Sequence, residues 1–346
     1  MAMYKSDIAV PGVDTPPREI VFALVPDYSF IAFSSAVEPL RMANRMRGEP
    51  LYRWRIVSVG GAAVASSNGL SVQVDGDLGS AENADLVVVC AGERVQNHVD
   101  KTCIAWLRRL AQRRIPLGAI CTGAYLLARA DLLGGYRCTI HWENLASLRE
   151  EYPDITVTAE LFEIDRDRYT CSGGIAPLDM MLNLIEAEHG SPLAVAISEE
   201  FICERIRGKN DRQRIPLKHR LGTSQPKLVD AISLMEANLE EPMSLDELSR
   251  HVGLSRRQLE RLFQKHVHCV PTRYYLELRL ARARQLLLQT TRPIVDIAFA
   301  CGFVSAPHFS KCYRDHYGIP PREERRLGRP AAGVATAAHA RTGGFG

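Results

Sequence analysis

The side chains in this sequence best suited to recognition chemistry lie on a basic segment that begins at Ser255. Its outward-facing residues carry guanidinium, amide, carboxylate and ammonium groups: Arg256, Arg257, Gln258, Glu260, Arg261, Gln264 and Lys265. Arginine pairs bidentately with guanine, and glutamine pairs with adenine. The second helix of a helix-turn-helix presents such side chains to the DNA major groove. The segment therefore predicts direct reading of base edges, although a solvated helix face would explain any single charge equally well.

A second copy of the same unit follows after a shift of fifty residues without a gap. The aligned positions are Asp246 with Asp296, Leu248 with Ala298, Ser255 with Ser305, Leu259 with Phe309, Phe263 with Tyr313, His266 with His316, and Pro271 with Pro321. An internal repeat defines the structural unit. Repetition of a basic, capped unit is poorly explained by an ordinary solvated face.

Each copy predicts two short helices with a tight turn between them. In the first copy, Ser244 and Glu247 have the S-x-x-E spacing of a capping box. Gly253 permits a sharp turn, and Ser255 caps the second helix. The residues between the copies predict one long helix from Thr272 to Gln289. Such a helix would hold the two second helices about one DNA turn apart, ~34 Å, as successive major grooves require.

The tandem spacing, the "ACGF" turn at 300–303, the aromatic Tyr313 and the closing "GIPP" at 318–321 resemble the AraC family of bacterial transcription regulators. With that resemblance, the predicted DNA-binding residues on the two second helices are Arg256, Arg257, Glu260, Arg261, Ala306, His308, Ser310 and Lys311. Ala306 and Pro307 stand where longer polar side chains are common in that family. The second unit is therefore expected to read fewer bases than the first.

The distribution of charge supports a nucleic-acid partner for this half of the chain. Residues 210–327 contain 20 Lys and Arg against 13 Asp and Glu, a net charge of +7, whereas the remaining residues have 23 against 27, a net charge of −4. The overall charge of +3 conceals this asymmetry. A basic module is what binding to a phosphate backbone requires.

Upstream of the basic module, apolar strands alternate with amphipathic helices. The predicted elements are strands at 20–25, 54–59, 86–90 and 116–120, helices at 35–46, 103–113 and 124–130, a hairpin at 161–172, and helices at 176–189 and 191–206. Alternation of this kind predicts an α/β domain with a parallel sheet covered by helices on both faces.

Cys121 lies where the 116–120 strand turns into a helix, a position at which open α/β sheets bind ligands. A helix N-terminus also lowers a thiol pKa and attracts anions. The run from Ala119 to Leu145, with Cys121 and then Thr139-Ile140-His141, resembles the ThiJ/PfpI superfamily. That resemblance implies a flavodoxin-like fold, similar to class I glutamine amidotransferases, with His141 approaching Cys121.

Two interpretations of this turn remain open, a buried structural thiol and a ligand-contacting cysteine. A catalytic role is less favoured, because Ala32 stands where the superfamily's enzymes carry an acidic partner and Thr122 replaces the histidine of its peptidases. The predicted ligand-binding residues are Cys121, Thr122, Gly123, His141 and Trp142. The amides at Thr122 and Gly123 would hold a carboxylate, and an aromatic ring would hold a cation. Trp54, Tyr28 and Phe30 are alternatives to Trp142 as that ring.

A ThiJ/PfpI-like domain joined to an AraC-type domain resembles the GlxA-type regulators. The run "SSAVEPLRMANRMRGEPLYRW" and the "SSNG" turn are most similar to the branch that controls catabolism of betaine, carnitine or arginine. The resemblance implies an activator of a catabolic operon, a small amine or amino acid as effector, a homodimer, and RNA polymerase as a partner. A cysteine-dependent hydrolase or hydratase fused to a DNA-binding domain is the alternative function. An architectural DNA-binding protein without a ligand is the third.

The remaining features set the domain boundaries and the compartment. We predict a disordered tail at 1–18, the sensor domain at 19–208, a linker at 209–226, the DNA-binding domain at 227–327 and a second tail at 328–346. Nine cysteines without metal-like spacing predict reduced thiols in the cytoplasm and no metal or cofactor. No apolar run approaches the length of a membrane span, and no signal-peptide core is evident.

Overall fold

A computed structural model of the chain describes residues 16–214, 217–222 and 225–328. The strands of the described residues are β1 Arg18–Leu24, β2 Tyr52–Ser58, β3 Val64–Ala65, β4 Ser71–Val72, β5 Gly76–Asp77, β6 Leu86–Cys90, β7 Leu117–Ile120, β8 Arg137–Cys138, β9 Thr156–Val157, β10 Phe162–Asp165 and β11 Arg168–Cys171.

The α-helices of the described residues divide between the two halves of the chain. They are α1 Phe30–Arg47, α2 Lys101–Gln112, α3 Ala124–Arg129, α4 Leu145–Glu151, α5 Ala176–His189, α6 Ser191–Glu200, α7 Leu217–Arg220, α8 Pro226–Ala237, α9 Leu245–Val252, α10 Arg256–Val267, α11 Pro271–Gln289, α12 Ile294–Ala300, α13 Ala306–Tyr317 and α14 Pro321–Gly328.

The N-terminal half is built on a seven-stranded sheet with the strand order β10-β11-β7-β6-β1-β2-β5. All neighbouring strands are parallel except the β10–β11 hairpin. Every residue of β6 is buried, because helices cover both faces of a parallel sheet. Trp106 anchors the core on one face and Phe22 the core on the other. The predicted flavodoxin-like α/β fold is confirmed.

Two predicted helix boundaries were wrong. Helix α1 begins at Phe30, five residues before the predicted start, because Ser29 already has an extended N-cap conformation. Helix α6 ends at Glu200 rather than near Ile206. Ile202 has a φ of 56°, in the left-handed region, and this conformation cannot continue a right-handed helix.

The predicted tails lie mostly outside the described residues. Of the first predicted tail, residues 16–18 are described, and β1 already begins at Arg18. Of the second, only Gly328 is described, as the last residue of α14. The predicted linker contains one short helix, α7, and the next helix, α8, begins at Pro226.

The C-terminal half is all-α and contains the two predicted helix-turn-helix units, α9–α10 and α12–α13, joined by α11. Ser244 and Glu247 form the predicted capping box, and Ser255 forms another with Gln258. Ser305 accepts a hydrogen bond from the amide of His308. Each unit has its own apolar cluster, and α11 contributes to both. The sequence repeat therefore corresponds to a repeat in three dimensions.

Three properties of the described residues bear on function. No described helix is long and apolar enough to cross a membrane. All nine cysteines are described, and each is a free thiol. Within 16–214, 217–222 and 225–328, no group of three or more His, Cys, Asp or Glu side chains is arranged to hold a metal ion.

Candidate functional site

Cys121 occupies a sharp turn between β7 and α3. Its backbone has a φ of 57°, a conformation that residues other than glycine rarely adopt. Two neighbouring segments fix this turn by hydrogen bonds: the His141 amide donates to the Cys121 carbonyl at 3.0 Å, and the Cys121 amide donates to the Ser172 carbonyl at 3.4 Å. The turn therefore brings the segments around His141 and Ser172 together at the carboxyl edge of the sheet.

The thiol of Cys121 is only 8% exposed. Burial raises the pKa of this thiol to about 12, against an opposing hydrogen bond from the Thr122 amide; Glu143 and Glu93 add to the rise. The thiol is therefore protonated at neutral pH. Since the thiolate is the nucleophilic form of cysteine, this environment does not prepare Cys121 for attack on a substrate.

His141 lies beside Cys121 without activating it. A β-carbon added at Gly173 would lie 3.2 Å from the Cys121 sulfur and 3.4 Å from the His141 Nε2, so both side chains approach one point. No hydrogen bond joins the Cys121 sulfur to the His141 ring, however, and the bond between these two described residues is the backbone one. Burial lowers the pKa of His141, and Glu143, with a carboxylate oxygen 3.8 Å from Nδ1, opposes this shift. The pair is a neutral thiol beside an imidazole.

The structure gives Thr122, Gly123 and Ala32 roles inside the fold. The Thr122 hydroxyl donates to the Gly92 carbonyl at 2.7 Å. The Gly123 amide donates to the Ile120 carbonyl at 3.0 Å. Ala32 is fully buried in α1. Because this residue is an alanine, the position supplies no carboxylate. The Gly123 amide is thus already occupied by the turn rather than open to a ligand.

A crevice of about 250 Å³ opens at this edge of the sheet. Its lining residues come from four separate segments of the chain: His141, Trp142, Leu161, Ser172, Gly173, Gly174, Ile175, Ala176, Arg207 and Gln213. Of the predicted ligand-binding residues, only His141 and Trp142 are in this lining. Cys121 lies against Gly173, beneath the lining, and Thr122 and Gly123 are outside it.

Hydrogen-bond donors without partners cluster on one side of the crevice. The amides of Gly173, Gly174 and Ile175, at the N-terminus of α5, donate to no described residue, and α5 has no side-chain cap. Beside them, Arg207 is held by Asp179 through Nε at 3.0 Å and Nη2 at 2.7 Å. A helix N-terminus carries partial positive charge, so this side of the crevice favours an anionic group.

Sequence reasoning missed the donors at 173–175 and the two residues contributed from near the linker, Arg207 and Gln213. The Gly173-Gly174 pair before a helix was a usable signal, since glycines allow close approach of backbone to a ligand. Arg207 and Gln213 gave no signal, because they lie about 30 or more residues after the glycines in a polar segment with no periodicity.

The predicted DNA-binding residues of the first unit lie on the outer side of α10. Arg257 and Arg261 are exposed, and neither has an ion-pair or hydrogen-bond partner among the described residues. Arg256 pairs with Glu260 one turn away, with Nε 3.2 Å from the carboxylate oxygen. Two of the three guanidinium groups are therefore unengaged and exposed.

In the second unit, fewer of the predicted residues are charged and fewer are exposed than in the first unit. Ala306 and Ser310 are half-buried on α13, and Lys311 is exposed. The His308 ring is turned toward its own helix, with Nε2 3.3 Å from the Cys312 sulfur. Lys311 is the one Lys or Arg among these four positions. That this unit reads fewer bases than the first stays a prediction.

Comparison with known proteins matches both halves of the chain. Residues 248–327 match the helix-turn-helix domain family, and residues 24–187 match the DJ-1/PfpI family. The chain is 54% identical to the HTH-type transcriptional regulator GbdR of Pseudomonas aeruginosa over 324 residues, 93% of this chain and 88% of that protein.

Two further relatives extend this comparison. The HTH-type transcriptional regulator GlxA of Rhizobium meliloti is 36% identical over 89% of this chain and 96% of that protein. A crystal structure of an AraC family transcriptional regulator from Pseudomonas putida covers 54% of this chain and 100% of its own, with 30% identity and a TM-score of 0.50. The chain therefore belongs to the GlxA-type family of AraC transcription regulators, in which a DJ-1/PfpI domain precedes a tandem helix-turn-helix domain.

Proposed function

We propose that this regulator activates a catabolic operon in response to a small nitrogenous metabolite, a quaternary amine or an amino acid, bound in its DJ-1/PfpI domain. It acts without catalysis, as a homodimer in the cytoplasm that binds double-stranded DNA and RNA polymerase. The observation that carries the proposal is the crevice at the carboxyl edge of the sheet, whose lining combines amides without a described partner with an aromatic ring.

The two ends of such a metabolite match the two sides of the crevice. The free amides at Gly173 and Gly174 suit a carboxylate. Arg207 lines the same crevice, with its guanidinium held by Asp179. The ring of Trp142 suits a cationic nitrogen, because the face of an indole attracts cations. A volume of about 250 Å³ suits a small metabolite, since pockets for drug-sized ligands begin at roughly 300 Å³.

On DNA, α10 and α13 would enter successive major grooves, with base contacts at the predicted positions. The exposed, unengaged Arg257 and Arg261 support this role for α10. Effector binding would change how two subunits present these helices. The change must come from a difference in effector affinity between two arrangements of the protein.

A thermal-shift experiment on the full-length protein tests the proposal. We expect one compound among betaine, carnitine, dimethylglycine, sarcosine, arginine and other amino acids to raise Tm in a concentration-dependent way, because a ligand that binds only the folded state stabilises it. Cys121→Ser should keep effector-free DNA binding, since the cysteine lies in the other domain. DNA binding without a shift from any compound would contradict control by an amine or amino acid.

The hydrolase alternative makes an opposite prediction for Cys121. A nucleophilic cysteine would react rapidly with iodoacetamide at pH 7.5, and turnover would vanish in Cys121→Ala. With a pKa raised to about 12, we expect slow alkylation that accelerates only in strongly alkaline solution. Fast alkylation at neutral pH, together with Cys121-dependent turnover, would favour an enzyme.

A further inference from the structure

The segment that leads to the DNA-binding domain is attached to the wall of the crevice. Gln213, which lines the crevice, donates through Nε2 to the Ile140 carbonyl at 3.0 Å and to the Glu160 carbonyl at 2.9 Å. Since both carbonyls are acceptors, the amide nitrogen must face them, and the side chain docks in one orientation. The linker is therefore held at Gln213, beside His141 and Trp142.

The next residue, Arg214, stacks on the aromatic ring of the crevice. Its guanidinium carbon lies 4.7 Å from the centroid of the Trp142 ring. Its one ion pair with a described residue is to Glu236 on α8, at 3.7 Å, and it forms no hydrogen bond with the described part of the chain. Burial lowers the pKa of Arg214. A guanidinium with so few partners is held weakly where it lies.

We propose that the Trp142 ring is the receptor for the cationic nitrogen of the effector, and that Arg214 occupies this receptor in the effector-free protein. The proposal rests on the proposed function, because it requires a nitrogenous effector. A guanidinium and an ammonium group, methylated or not, bind an aromatic face by the same electrostatic attraction. Two cations cannot occupy one face, and on opposite faces they repel each other, so the effector and Arg214 compete.

Displacement of Arg214 would be transmitted to the first helix-turn-helix unit. Glu236, its ion-pair partner, lies on α8. On the same helix, Leu228, Ile232 and Met235 are fully buried in the apolar cluster of the first unit. An effector that takes the ring from Arg214 would therefore loosen one connection between the crevice and that unit. The effector acts by binding the displaced arrangement more tightly than the docked one.

Arg220 provides a matched control for Arg214. It also pairs with Glu236, at 3.3 Å from the same carboxylate oxygen, but it makes no ring contact with Trp142. Arg214→Gln and Arg220→Gln each remove one cation from Glu236, and only the first frees the ring. A difference between the two variants therefore reports on Trp142 rather than on the charge of the linker.

The test is isothermal titration calorimetry of the full-length protein with the compounds of the thermal-shift experiment as probes: betaine, carnitine, dimethylglycine, sarcosine, arginine and other amino acids. Arg214→Gln should bind the effective probe about threefold to tenfold more tightly than wild type, the range expected for loss of one competing cation–π contact. Arg220→Gln should bind as wild type does. Trp142→Leu should bind at least about tenfold more weakly, and Trp142→Phe should recover part of the loss, because it keeps an aromatic face.

The outcomes separate this proposal from the proposed function. A probe that binds wild type while Arg214→Gln binds no more tightly than Arg220→Gln would overturn competition at Trp142 and leave effector control intact. Binding that appears only in Arg214→Gln would support competition. No binding to any of these proteins, including Arg214→Gln, would overturn amine sensing and the competition together.

Discussion

The two helix-turn-helix units share one sequence pattern but differ in what their arginine side chains contact. On α10, Arg257 and Arg261 are exposed and unengaged among the described residues. At the second unit, Arg279 of the connecting helix α11 donates to the carbonyls of Cys301 and Gly302, both at 2.7 Å, and so holds the turn between α12 and α13. The comparison teaches that one copy directs its arginines outward, whereas the other is held by an arginine directed inward.

The units also meet the sensor domain by different routes. The first unit is reached through the linker, where Arg214 pairs with Glu236. The second is reached directly from α4: the Ser147 hydroxyl donates to Gln289 Oε1 at 2.7 Å, and Glu150 pairs with Arg292. Because Glu150 and Arg292 are both partly buried, this contact is better shielded from salt than a surface pair. We therefore expect the effector to move the first unit more than the second.

The largest effect is expected when the equivalent core side chain of each unit is truncated to alanine. Phe309 is fully buried and packs its ring against Phe303 and Tyr313, with centroids 5.0 and 5.5 Å away. Phe309→Ala should lower the local free energy of unfolding by about 3–5 kcal/mol, and Leu259→Ala by about 2–5 kcal/mol. Hydrogen exchange of α13 and α10 in the full chain measures both values. A smaller loss in α13 than in α10 would contradict the larger cost expected for removing an aromatic ring than for removing a leucine side chain.

The next test removes the arginine that is directed inward. Arg279→Met deletes both hydrogen bonds to the turn between α12 and α13, and hydrogen bonds from charged groups contribute roughly 1.5–3 kcal/mol. We expect faster hydrogen exchange in α12 and α13 and unchanged exchange in α9. Arg273→Met on the same helix is the control, because Arg273 is exposed and its one ion pair with a described residue is to Glu277. Equal effects of the two substitutions would remove the anchoring role of Arg279.

A third test compares base reading at equivalent positions of the two units. Arg261→Ala should cost about 1–3 kcal/mol of binding and relax preference at one base pair if the arginine contacts guanine, and Arg257→Ala should behave alike. Lys311→Ala, at the position equivalent to Arg261, should cost less binding free energy and relax base preference less, because the second unit is expected to read fewer bases. Selection of binding sites from random duplexes by each variant gives the preferences. Uniform losses for all three would mean that they contact only phosphates.

The smallest expected effects are at the N-caps of α10 and α13. Ser255 closes a full capping box with Gln258, whereas Ser305 accepts one hydrogen bond, from the His308 amide. Replacement of either serine with alanine should cost about 1 kcal/mol, and Ser255→Ala should cost more than Ser305→Ala. Thermal unfolding of the two variants decides the order. Ser255→Gly, which keeps cap conformation better than alanine, should recover most of the loss.

The sequence by itself determined the order of elements in both halves. Three kinds of sequence signal sufficed for this. They are continuous apolar runs such as Leu86–Cys90, the helix caps at Ser244 and Ser255, and the fifty-residue repeat, and the structure contains the strand and the helices that they predicted. The pairing of an α/β domain with a tandem helix-turn-helix followed from these signals. Local signals do not fix helix ends that depend on a single backbone conformation, as at Ile202.

Only the tertiary structure decided which residues form the crevice. His141 was predicted from the resemblance to the ThiJ/PfpI superfamily, and Trp142 as one of four candidate rings for a cation. Arg207 and Gln213 reach the crevice from a segment without periodicity. The protonation of Cys121 also depends on the tertiary structure. Its position at a helix N-terminus predicted a lowered pKa for the thiol, but burial of the side chain raises that pKa. The pKa of a side chain depends on its burial and on the charges near it. Both depend on contacts between segments that are distant in sequence, and the spacing of residues along the chain does not give those contacts.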